Sequence, residues 1–468
     1  MNALSTGAIL FSRTYLSCFL KMATAYKAKL LCSGIFVSGR EASALLSEDL
    51  AVDDLAPLRL LHSSVDFQQK TVTVSCFGGF KRTALYRPGL GSTLVLETTV
   101  AQLREQSAAF EKWQQTWQYR YRPALSAKEM PLKMDTERFE TERLAQVVDA
   151  AFMESDRARL QRSRAVVILH RGQLVAERYA VGFSAQTPLL GWSMAKSVVN
   201  ALIGILVQQG KLALDSQDLL PEWRSPSDPR RKITLDQLLR MSSGLRFSED
   251  YSNPLSDVTT LLFQRGDGAK YAAQLPLKNA PGREFSYAGG ATVLLCRIIR
   301  QVLSGTLTDY FSFPGRSLFE RIGMTSAVLE PDAAGTFTGS SFMYATARDW
   351  AKLGLLYLQD GCWQIEDEWV RILPAGWVAY STTPSKTADF YGAHFWLGVP
   401  NSFVSETSRA QRQEALTWPE GAYLAAGYQG QFVTVVPDRD LVVVRLGLSQ
   451  RRNSWDHAAF IHQIRACF

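Results

Sequence analysis

Cysteine and histidine are scarce in this chain, and neither is spaced as in a metal site. The six cysteines include no Cys-x-x-Cys pair, and none of the five histidines is followed by another four residues later. Zinc sites and disulfide frameworks both depend on regular spacings of this kind. The sequence therefore predicts no metal site, no cofactor and no disulfide framework.

Dense positive charge is missing from most of the chain. The 51 Lys and Arg exceed the 44 Asp and Glu by +7, and residues 1–40 supply +5 of this excess because they contain five basic residues and no acid. The remaining 428 residues show no stripe of Lys and Arg interleaved with aromatic residues, which is the usual pattern of nucleic-acid-binding proteins. Nucleic acid is therefore not an expected partner.

Long hydrophobic runs are also missing. The longest uncharged stretch at the start of the chain covers residues 1–12, and the apolar run 15–20 ends at Lys21. Neither is long enough to cross a bilayer. We interpret residues 1–40 as a basic targeting or membrane-proximal segment, which favours the cell envelope, periplasmic or membrane-associated, over the cytoplasm. The oligomeric state is left open.

The length and composition are those of a folded chain with more than one domain. The chain has 468 residues, of which 46% are hydrophobic. Residues 41–140 carry no recognisable chemistry and are treated as an N-terminal extension of unknown role. From residue 141 to 468 the hydrophobic periodicity sharpens, and we assign this region to one domain.

Hydrophobic periodicity predicts an α+β fold for residues 141–468. Two hairpins are expected near the two ends of this region, at 165–179 and at 432–446. Between them the pattern predicts mainly helices, over 193–209, 235–241, 292–303 and 347–358. The expected architecture is an antiparallel sheet made from both ends of the domain, flanked by helices, with a helical lobe inserted between them.

A Ser-x-x-Lys sequence at the start of a predicted helix is the first chemical signal. Ser193 and Lys196 are three residues apart, so they share one face of the first helical turn. A serine hydroxyl is a weak nucleophile without a base, and a lysine amine beside it can accept its proton. The alternative is structural: Ser193 would cap the helix and Lys196 would be a solvated residue of its first turn.

Two later motifs stand in a recognisable order after this pair. They are Phe285-Ser286-Tyr287-Ala288-Gly289 and Gly427-Tyr428-Gln429-Gly430-Gln431. With Ser-x-x-Lys, they resemble the motifs of serine hydrolases related to class C β-lactamases, penicillin-binding carboxypeptidases, family VIII esterases and 6-aminohexanoate-dimer hydrolases. The resemblance extends from about residue 164 to 465 and implies a β-lactamase/transpeptidase-like fold.

The resemblance also implies roles for individual residues. Ser193 takes the position of the nucleophile and Lys196 that of its base, while Tyr287 takes the position of a proton relay. The backbone N–H groups of Ser193 and Gln431 would form the oxyanion hole. Gly430 would allow the backbone to approach the substrate closely.

Departures from the family pattern narrow the expected substrate. The third motif has Tyr428 where β-lactamases carry a lysine that binds the antibiotic carboxylate, and the second motif ends in Gly289 instead of Asn. The loop that contains Tyr251 resembles a loop of the 6-aminohexanoate-dimer hydrolases that closes over the substrate. Esters or small linear amides are therefore expected, in a pocket with aromatic walls from Trp192, Tyr251 and Tyr428.

Three other interpretations remain open at this point. The protein could be a penicillin-recognising enzyme of the β-lactamase or D-Ala-D-Ala carboxypeptidase type, or a non-catalytic binding protein with the same fold. It could also be an α/β-hydrolase, because Gly191 precedes Trp192-Ser193 as in a nucleophile elbow and His457 follows late in the chain. The second glycine of that elbow is missing.

Overall fold

The computed structural model of the protein describes residues 2–51, 53–121, 140–157, 159–400, 418–449, 451 and 454–468. The chain forms two compact units, each assembled from separate stretches of sequence. The first unit comprises Met1–Gln115, Gln217–Phe311 and Val328–Gly339. The second unit comprises Thr116–Ser216, Ser312–Ala327 and Ser340–Phe468.

The described helices and strands are numbered in chain order. The helices are α1 (Asn2–Phe36), α2 (Ala42–Ala44), α3 (Val100–Tyr121), α4 (Thr141–Ala150), α5 (Ala195–Gln208), α6 (Leu235–Leu239), α7 (Asp257–Phe263), α8 (Gly268–Ala273), α9 (Gly289–Leu303), α10 (Leu307–Pro314), α11 (Ala347–Leu358), α12 (Trp377–Thr382) and α13 (His457–Arg465). The strands are β1 (His62–Asp66), β2 (Thr71–Cys76), β3 (Gly79–Arg87), β4 (Gly91–Leu94), β5 (Ser163–His170), β6 (Gln173–Tyr179), β7 (Leu189–Leu190), β8 (Val328–Leu329), β9 (Met343–Ala345), β10 (Cys362–Ile365), β11 (Glu368–Arg371), β12 (Tyr423–Gly427), β13 (Gln431–Val436) and β14 (Leu441–Gly447).

A five-stranded antiparallel sheet is the centre of the second unit. Its strand order is β12-β13-β14-β5-β6, and the two predicted hairpins meet where β14 pairs with β5. Val443 lies opposite Ile168 in this register. The prediction of an α+β fold whose sheet combines both ends of the domain is confirmed.

Helices cover both faces of this sheet. On one face α11 approaches closely, since a Cβ atom at Gly354 would lie 2.5 Å from Val442 and 2.9 Å from Val433. On the other face the apolar stripe of α4, with Leu144 and Val148 buried, joins α13 in one hydrophobic core. Because both faces are covered, the central strands are mostly apolar instead of alternating regularly with polar residues, and their few polar residues, such as Thr434 and Arg445, are buried.

The first unit contains the predicted helical lobe, α6 to α9, and a second sheet. This sheet is antiparallel, with strand order β1-β2-β3-β4, and α1 packs against it. The long hydrophobic helix predicted over 292–303 begins earlier, at Gly289, and ends at Leu303 as expected. Residues 41–140 thus supply a sheet in the same unit as the helical lobe.

The first helix is partly integrated into the first unit. Residues 23–29 and 31–34 are buried, and Lys27 and Lys29 are 2% and 3% exposed. The charge count alone suggests that these two lysines face a membrane surface. Because they are buried, they do not. A targeting or membrane role of residues 1–40 stays a prediction. Among the described residues, no helix is long and apolar enough to cross a membrane.

A buried ion pair connects α1 to the strand region near residue 330. The Lys29 Nζ atom forms an ion pair with the Glu330 carboxylate, whose other oxygen accepts hydrogen bonds from the Ser33 hydroxyl (2.8 Å) and the Ser92 backbone N–H (2.7 Å). Burial lowers the pKa of Lys29, whereas its contact with Glu330 raises it. Each charge is thus compensated where water is excluded.

We predict that Lys29→Met destabilises the protein by about 3–5 kcal/mol, because it leaves the Glu330 carboxylate buried without its cation. Urea unfolding of the purified protein measures the effect. The control is Lys232→Met, since Lys232 is an exposed residue of the same unit. Equal unfolding midpoints for the two variants would show that the ion pair does not hold α1 in place.

Candidate active site

The Ser-x-x-Lys pair lies at a strained turn that leads into α5. Residues Trp192–Met194 form a single 3-10 turn, and α5 begins at the next residue. Trp192 has φ +48°, a region that bulky residues rarely adopt. Its side chain is 4% exposed and lies against Phe342 and Tyr428, with ring centroids 6.0 and 5.7 Å away. This packing holds the strained turn in place.

The Lys196 amine contacts the Ser193 hydroxyl directly. The Nζ atom lies 3.0 Å from Ser193 Oγ and donates a second hydrogen bond of 2.8 Å to the Ser340 carbonyl. Lys196 is 1% exposed, whereas Ser193 is partly exposed. A solvated first-turn lysine is therefore ruled out, and the helix cap contains no Ser193 side-chain hydrogen bond. The arrangement aims a desolvated amine at an accessible hydroxyl.

The third motif forms the turn between β12 and β13. Gly427 pairs with Gln431, and Gln429 and Gly430 between them have φ +61° and +81°. A Cβ atom at Gly427 would lie 2.1 Å from the Gly191 carbonyl oxygen, so only glycine lets this strand end approach the turn before Ser193. The third motif is thus held against the nucleophile turn.

At Gly430 the missing side chain makes room for protein atoms. A Cβ atom there would lie 2.4 Å from Arg445 Nη1 and 2.7 Å from Ser449 Oγ. The approach of a substrate to the backbone of Gly430 stays a prediction. Two backbone segments approach each other closely at Gly427.

Arg445 supports the third motif from below. It is fully buried, and its guanidinium donates to the carbonyl oxygens of Gly430 (2.7 Å) and Gln161 (2.5 Å) and to the Ser449 hydroxyl (3.0 Å). Burial lowers the pKa of Arg445 to about 9. Its bonds to neutral oxygens keep the cation directed into the protein, and Trp455 covers its face at 4.6 Å.

The side chain of Gln431 fixes the start of β13. Its Nε2 donates to the Gly447 carbonyl at 2.7 Å, and its Oε1 accepts from the Gly447 N–H at 3.0 Å. The side chain is 3% exposed and connects the turn to β14. Because the side chain makes these two hydrogen bonds, the backbone N–H of Gln431 is the group predicted to donate to the oxyanion. That role stays a prediction.

The second motif lies in the first unit, at the start of α9. Tyr287 is partly exposed, and the neighbouring Ser286 N–H donates to the Met241 carbonyl at 2.7 Å. The Gly289 N–H at the first turn of α9 donates to Glu249 Oε2 at 2.7 Å. A carboxylate at a helix N-terminus is stabilised by the helix dipole. The motif is thereby fixed to the loop around residue 249.

Glu249 also contacts Tyr251, which is predicted to bind the substrate. Tyr251 is 37% exposed, and its hydroxyl donates to Glu249 Oε1 at 3.2 Å. Glu249 therefore links the Tyr251 loop to the second motif, a connection that sequence reasoning missed although the loop itself was noted. An acidic residue two positions before the tyrosine was the available signal.

The predicted residues thus fall into two groups. The second unit contains Ser193, Lys196, Trp192, Tyr428, Gly430 and Gln431, and the first unit contains Tyr287 and Tyr251. Ser340 and Arg445 were missed. Ser340 contacts Lys196 through its backbone carbonyl, and no pattern in the sequence predicts a backbone contact of this kind. No pattern near Arg445 predicts that this residue is buried. Among the described residues, no cluster of three or more His, Cys, Asp or Glu could hold a metal.

His457 is a core residue and not part of a catalytic triad. It is fully buried, its Nδ1 accepts from Trp455 Nε1 at 3.1 Å, and its Nε2 lies 2.7 Å from Thr434 Oγ1. Its ring stacks on Phe432 at 3.8 Å. Both ring nitrogens thus have hydrogen-bond partners on the face of the sheet that α13 covers. The other face is covered by α11, whose Trp350 packs against Gly191, so His457 and the turn before Ser193 lie on opposite faces. The α/β-hydrolase interpretation is wrong.

Comparisons with known proteins agree with this geometry. The β-lactamase family profile matches residues 148–463. A 6-aminohexanoate-dimer hydrolase of Paenarthrobacter ureafaciens is 25% identical over 295 residues, which cover 60% of this chain and 71% of that protein. The crystal structure of a β-lactamase-like protein from Bacteroides dorei gives a TM-score of 0.53 at 17% identity, covering 70% of this chain and 99% of that chain.

The antiparallel sheet built from both ends of the domain and flanked by helices is a β-lactamase/transpeptidase-like fold. The matched profile covers more than half of this chain, and the chain belongs to the β-lactamase family. Members of this family are typically hydrolases of amides, esters or β-lactams. The resemblance and the fold class expected from the sequence are both confirmed.

We predict that His457→Ala destabilises the protein by about 2–4 kcal/mol and leaves its reaction with a fluorophosphonate unchanged. The substitution opens a core cavity and leaves the polar groups of Trp455 and Thr434 unpaired. Thermal unfolding gives the stability, and intact mass spectrometry at a temperature where the variant is folded gives the labelling rate. A folded His457→Ala protein that no longer reacts would restore histidine to the mechanism.

Proposed function

We propose that the protein is a serine hydrolase that cleaves esters or small linear amides through an acyl-enzyme on Ser193. The observation that carries this proposal is the 3.0 Å contact between Lys196 Nζ and Ser193 Oγ, with the amine almost fully buried. A nucleophile and its base within hydrogen-bonding distance are the minimum equipment for acyl transfer. The fluorophosphonate reaction should therefore modify Ser193.

The proposed first step forms a bond between Ser193 Oγ and the substrate carbonyl carbon. The Lys196 amine accepts the hydroxyl proton as this bond forms, and the same proton passes to the leaving alkoxide or amine when the tetrahedral intermediate collapses. The second Nζ contact, a hydrogen bond to the Ser340 carbonyl, holds the amine beside Ser193. Water then attacks the carbonyl carbon of the acyl-enzyme, and Lys196 accepts one of its protons. The bond between this carbon and Ser193 Oγ breaks, Oγ receives that proton, and the free acid is released.

Stabilisation of the intermediate is assigned to backbone groups. The N–H groups of Ser193 and Gln431 are the proposed donors to the oxyanion. The close packing of Gly427 on Gly191 supports this assignment, because it keeps the start of β13 beside the nucleophile turn. Tyr287 is proposed as a proton relay because of the order of the three motifs in the chain. Tyr251 is proposed as a substrate contact because its loop resembles the loop of the 6-aminohexanoate-dimer hydrolases that closes over the substrate.

The preference for esters and small amides rests on the charge of the third motif. Tyr428 is 42% exposed and has no charge, and Arg445, the cation that bonds to this motif, is fully buried with its N–H groups bonded to protein oxygens. A β-lactam carboxylate would therefore lose hydration here without gaining a cation, which costs several kcal/mol when burial is complete. The relative from Paenarthrobacter is named a 6-aminohexanoate-dimer hydrolase, which is consistent with this preference.

Two other functions remain as alternatives to be tested. A penicillin-recognising enzyme would need a cation for the carboxylate in addition to the Ser193–Lys196 pair. A non-catalytic binding protein would retain the fold without reactivity at Ser193. The buried Lys196 amine favours an active enzyme over the binding protein, because an unused buried lysine lowers stability without a compensating gain.

We predict that Ser193→Ala and Lys196→Ala each lower kcat for p-nitrophenyl butyrate by roughly 10³ to 10⁶, and that the double variant loses no more than either single variant. Nucleophile and base act as one unit, so their losses are not additive. Steady-state hydrolysis provides kcat and KM. The control is Lys211→Ala, because Lys211 is an exposed lysine of the same unit that follows α5.

Tyr287→Phe tests the proton relay separately. Removing only the hydroxyl should lower kcat more than it raises KM, because the group is proposed to act in proton transfer and not in binding. Acylation of Ser193 by fluorophosphonate, followed by mass spectrometry and peptide mapping, identifies the nucleophile independently. Persistent activity of Lys196→Ala, or unmodified Ser193 in an active protein, would refute the mechanism.

We predict that esters are cleaved more efficiently than β-lactams and that Tyr428→Lys narrows the difference. A lysine at this exposed turn supplies the missing cation, and a charge-assisted hydrogen bond of about 1.5–3 kcal/mol corresponds to roughly a ten- to hundredfold gain for the β-lactam. The test compares kcat/KM for nitrocefin and p-nitrophenyl butyrate.

The matched control for this substitution is Tyr428→Gln, which removes the aromatic ring that packs on Trp192 without adding charge. If Gln and Lys raise nitrocefin turnover equally, the effect is steric and the electrostatic argument fails. Efficient nitrocefin turnover by the unmodified protein would instead establish the penicillin-recognising alternative.

A further inference from the structure

Three exposed apolar side chains cluster at one end of the first unit's sheet. Leu60 is 84% exposed, Phe77 is fully exposed and Phe80 is 38% exposed. Phe77 and Phe80 have φ +47° and +48°, a conformation that costs free energy for an aromatic residue. An exposed aromatic pair kept at such positions indicates a surface that contacts something other than water.

The strand register shows that these residues share one end of the sheet. His62, two residues after Leu60, lies opposite Ser75, and Gly79 lies opposite Cys76. The segment before β1 and the turn between β2 and β3 therefore lie side by side. The turn 67–70 between β1 and β2 lies at the opposite end.

The helix α1 leaves the sheet at the same end. Phe36 contacts Phe67 and Tyr86 at the opposite end, whereas Lys27 Nζ donates to the carbonyl oxygens of Leu58 (3.0 Å) and Leu61 (2.6 Å) at this one. A straight helix rises about 1.5 Å per residue, so the residues before Lys27 extend roughly 37 Å further in this direction.

Burial of α1 decreases along this extension. The helix is buried at residues 23–29, half-buried at 17–22, and exposed at Tyr15 and Leu16, which are 39% and 55% exposed. The sequence of this part is rich in apolar residues and contains Arg13 and Lys21 but no acid. The emerging helix thus has the composition of an interfacial segment.

Basic residues adjoin the residues of the apolar cluster in the chain. Arg59 and Lys81 are exposed neighbours of Leu60 and Phe80 in the chain, and the partly exposed Arg82 follows. The nearest acids before Leu60 in the sequence are Asp53 and Asp54, at the far end of their 3-10 helix, Asp53–Leu60. Basic side chains beside exposed aromatic rings match a surface that is anionic outside and apolar inside.

We propose that this end of the first unit, defined by Leu60, Phe77, Phe80 and the emerging part of α1, docks on the surface of an anionic phospholipid bilayer. Phe77 and Phe80 enter the headgroup region while Arg59 and Lys81 contact lipid phosphates. Because none of the described helices can span a bilayer, this docking holds the protein at one membrane surface. The proposal is independent of the chemistry at Ser193.

Flotation of the full-length protein with lipid vesicles tests the proposal. The protein should bind vesicles of equimolar phosphatidylcholine and phosphatidylglycerol more strongly than vesicles of phosphatidylcholine alone, and about 0.5 M NaCl should reduce the difference. The double variant Phe77→Ser/Phe80→Ser should lose about tenfold in partition coefficient. Arg59→Glu/Lys81→Glu should lose binding mainly to the anionic vesicles.

The matched control is Phe67→Ser, because Phe67 is 67% exposed at the opposite end of the same sheet. A depth measurement completes the test: brominated lipids should quench tryptophan fluorescence in Phe77→Trp but add no quenching in Phe67→Trp. Ester hydrolysis in solution should be unchanged in every variant. This separates failure of docking from failure of the enzyme.

Three outcomes would overturn the proposal. The first is absence of binding to either kind of vesicle. The second is equal binding of the wild type and Phe77→Ser/Phe80→Ser, which would assign any attachment to α1 alone. The third is a concentration-dependent dimer that these two substitutions abolish, since the apolar cluster would then be the interface with a second copy of the chain.

Discussion

The pairing of β5 with β14 is the constraint on which the second unit depends. It joins stretches of chain that are far apart, such as Ser163 and Arg445, whose side chains bond across 282 positions. Closing so large a loop is costly in entropy, and the cost is offset by a continuous apolar sheet covered on both faces. The third motif is the turn between two strands of this sheet, and it packs against the turn that contains Ser193.

The turn Trp192–Met194 shows how the sheet positions the residues of the candidate site. Gly427 at the end of β12 contacts the Gly191 carbonyl, and Trp192 is kept at a positive φ by packing against Phe342 and Tyr428. A strained conformation persists only where its surroundings determine it completely. Lys196 is 1% exposed, so its amine meets Ser193 with little competition from solvent.

The first unit illustrates a different use of burial. Charge counting grouped Lys29 with an exposed basic segment, yet Glu330, 301 positions later, provides a buried carboxylate for it. The same helix becomes exposed towards its start, where Tyr15 and Leu16 emerge. One segment is thus buried at residues 23–29 and 31–34 and exposed at Tyr15 and Leu16, a division that composition cannot reveal because it averages over the whole stretch.

The sequence by itself determined the class of fold, the hairpins at the two ends of the domain and the Ser-x-x-Lys pair, since these follow from local periodicity and short spacing. Only the tertiary structure decided the roles of Gly427, Ser340, Arg445 and His457. Each of these depends on a contact between distant segments: a missing Cβ, a backbone carbonyl, a buried guanidinium and a ring stacked in the core. Such contacts arise when the sheet closes, and no local pattern in the chain encodes them.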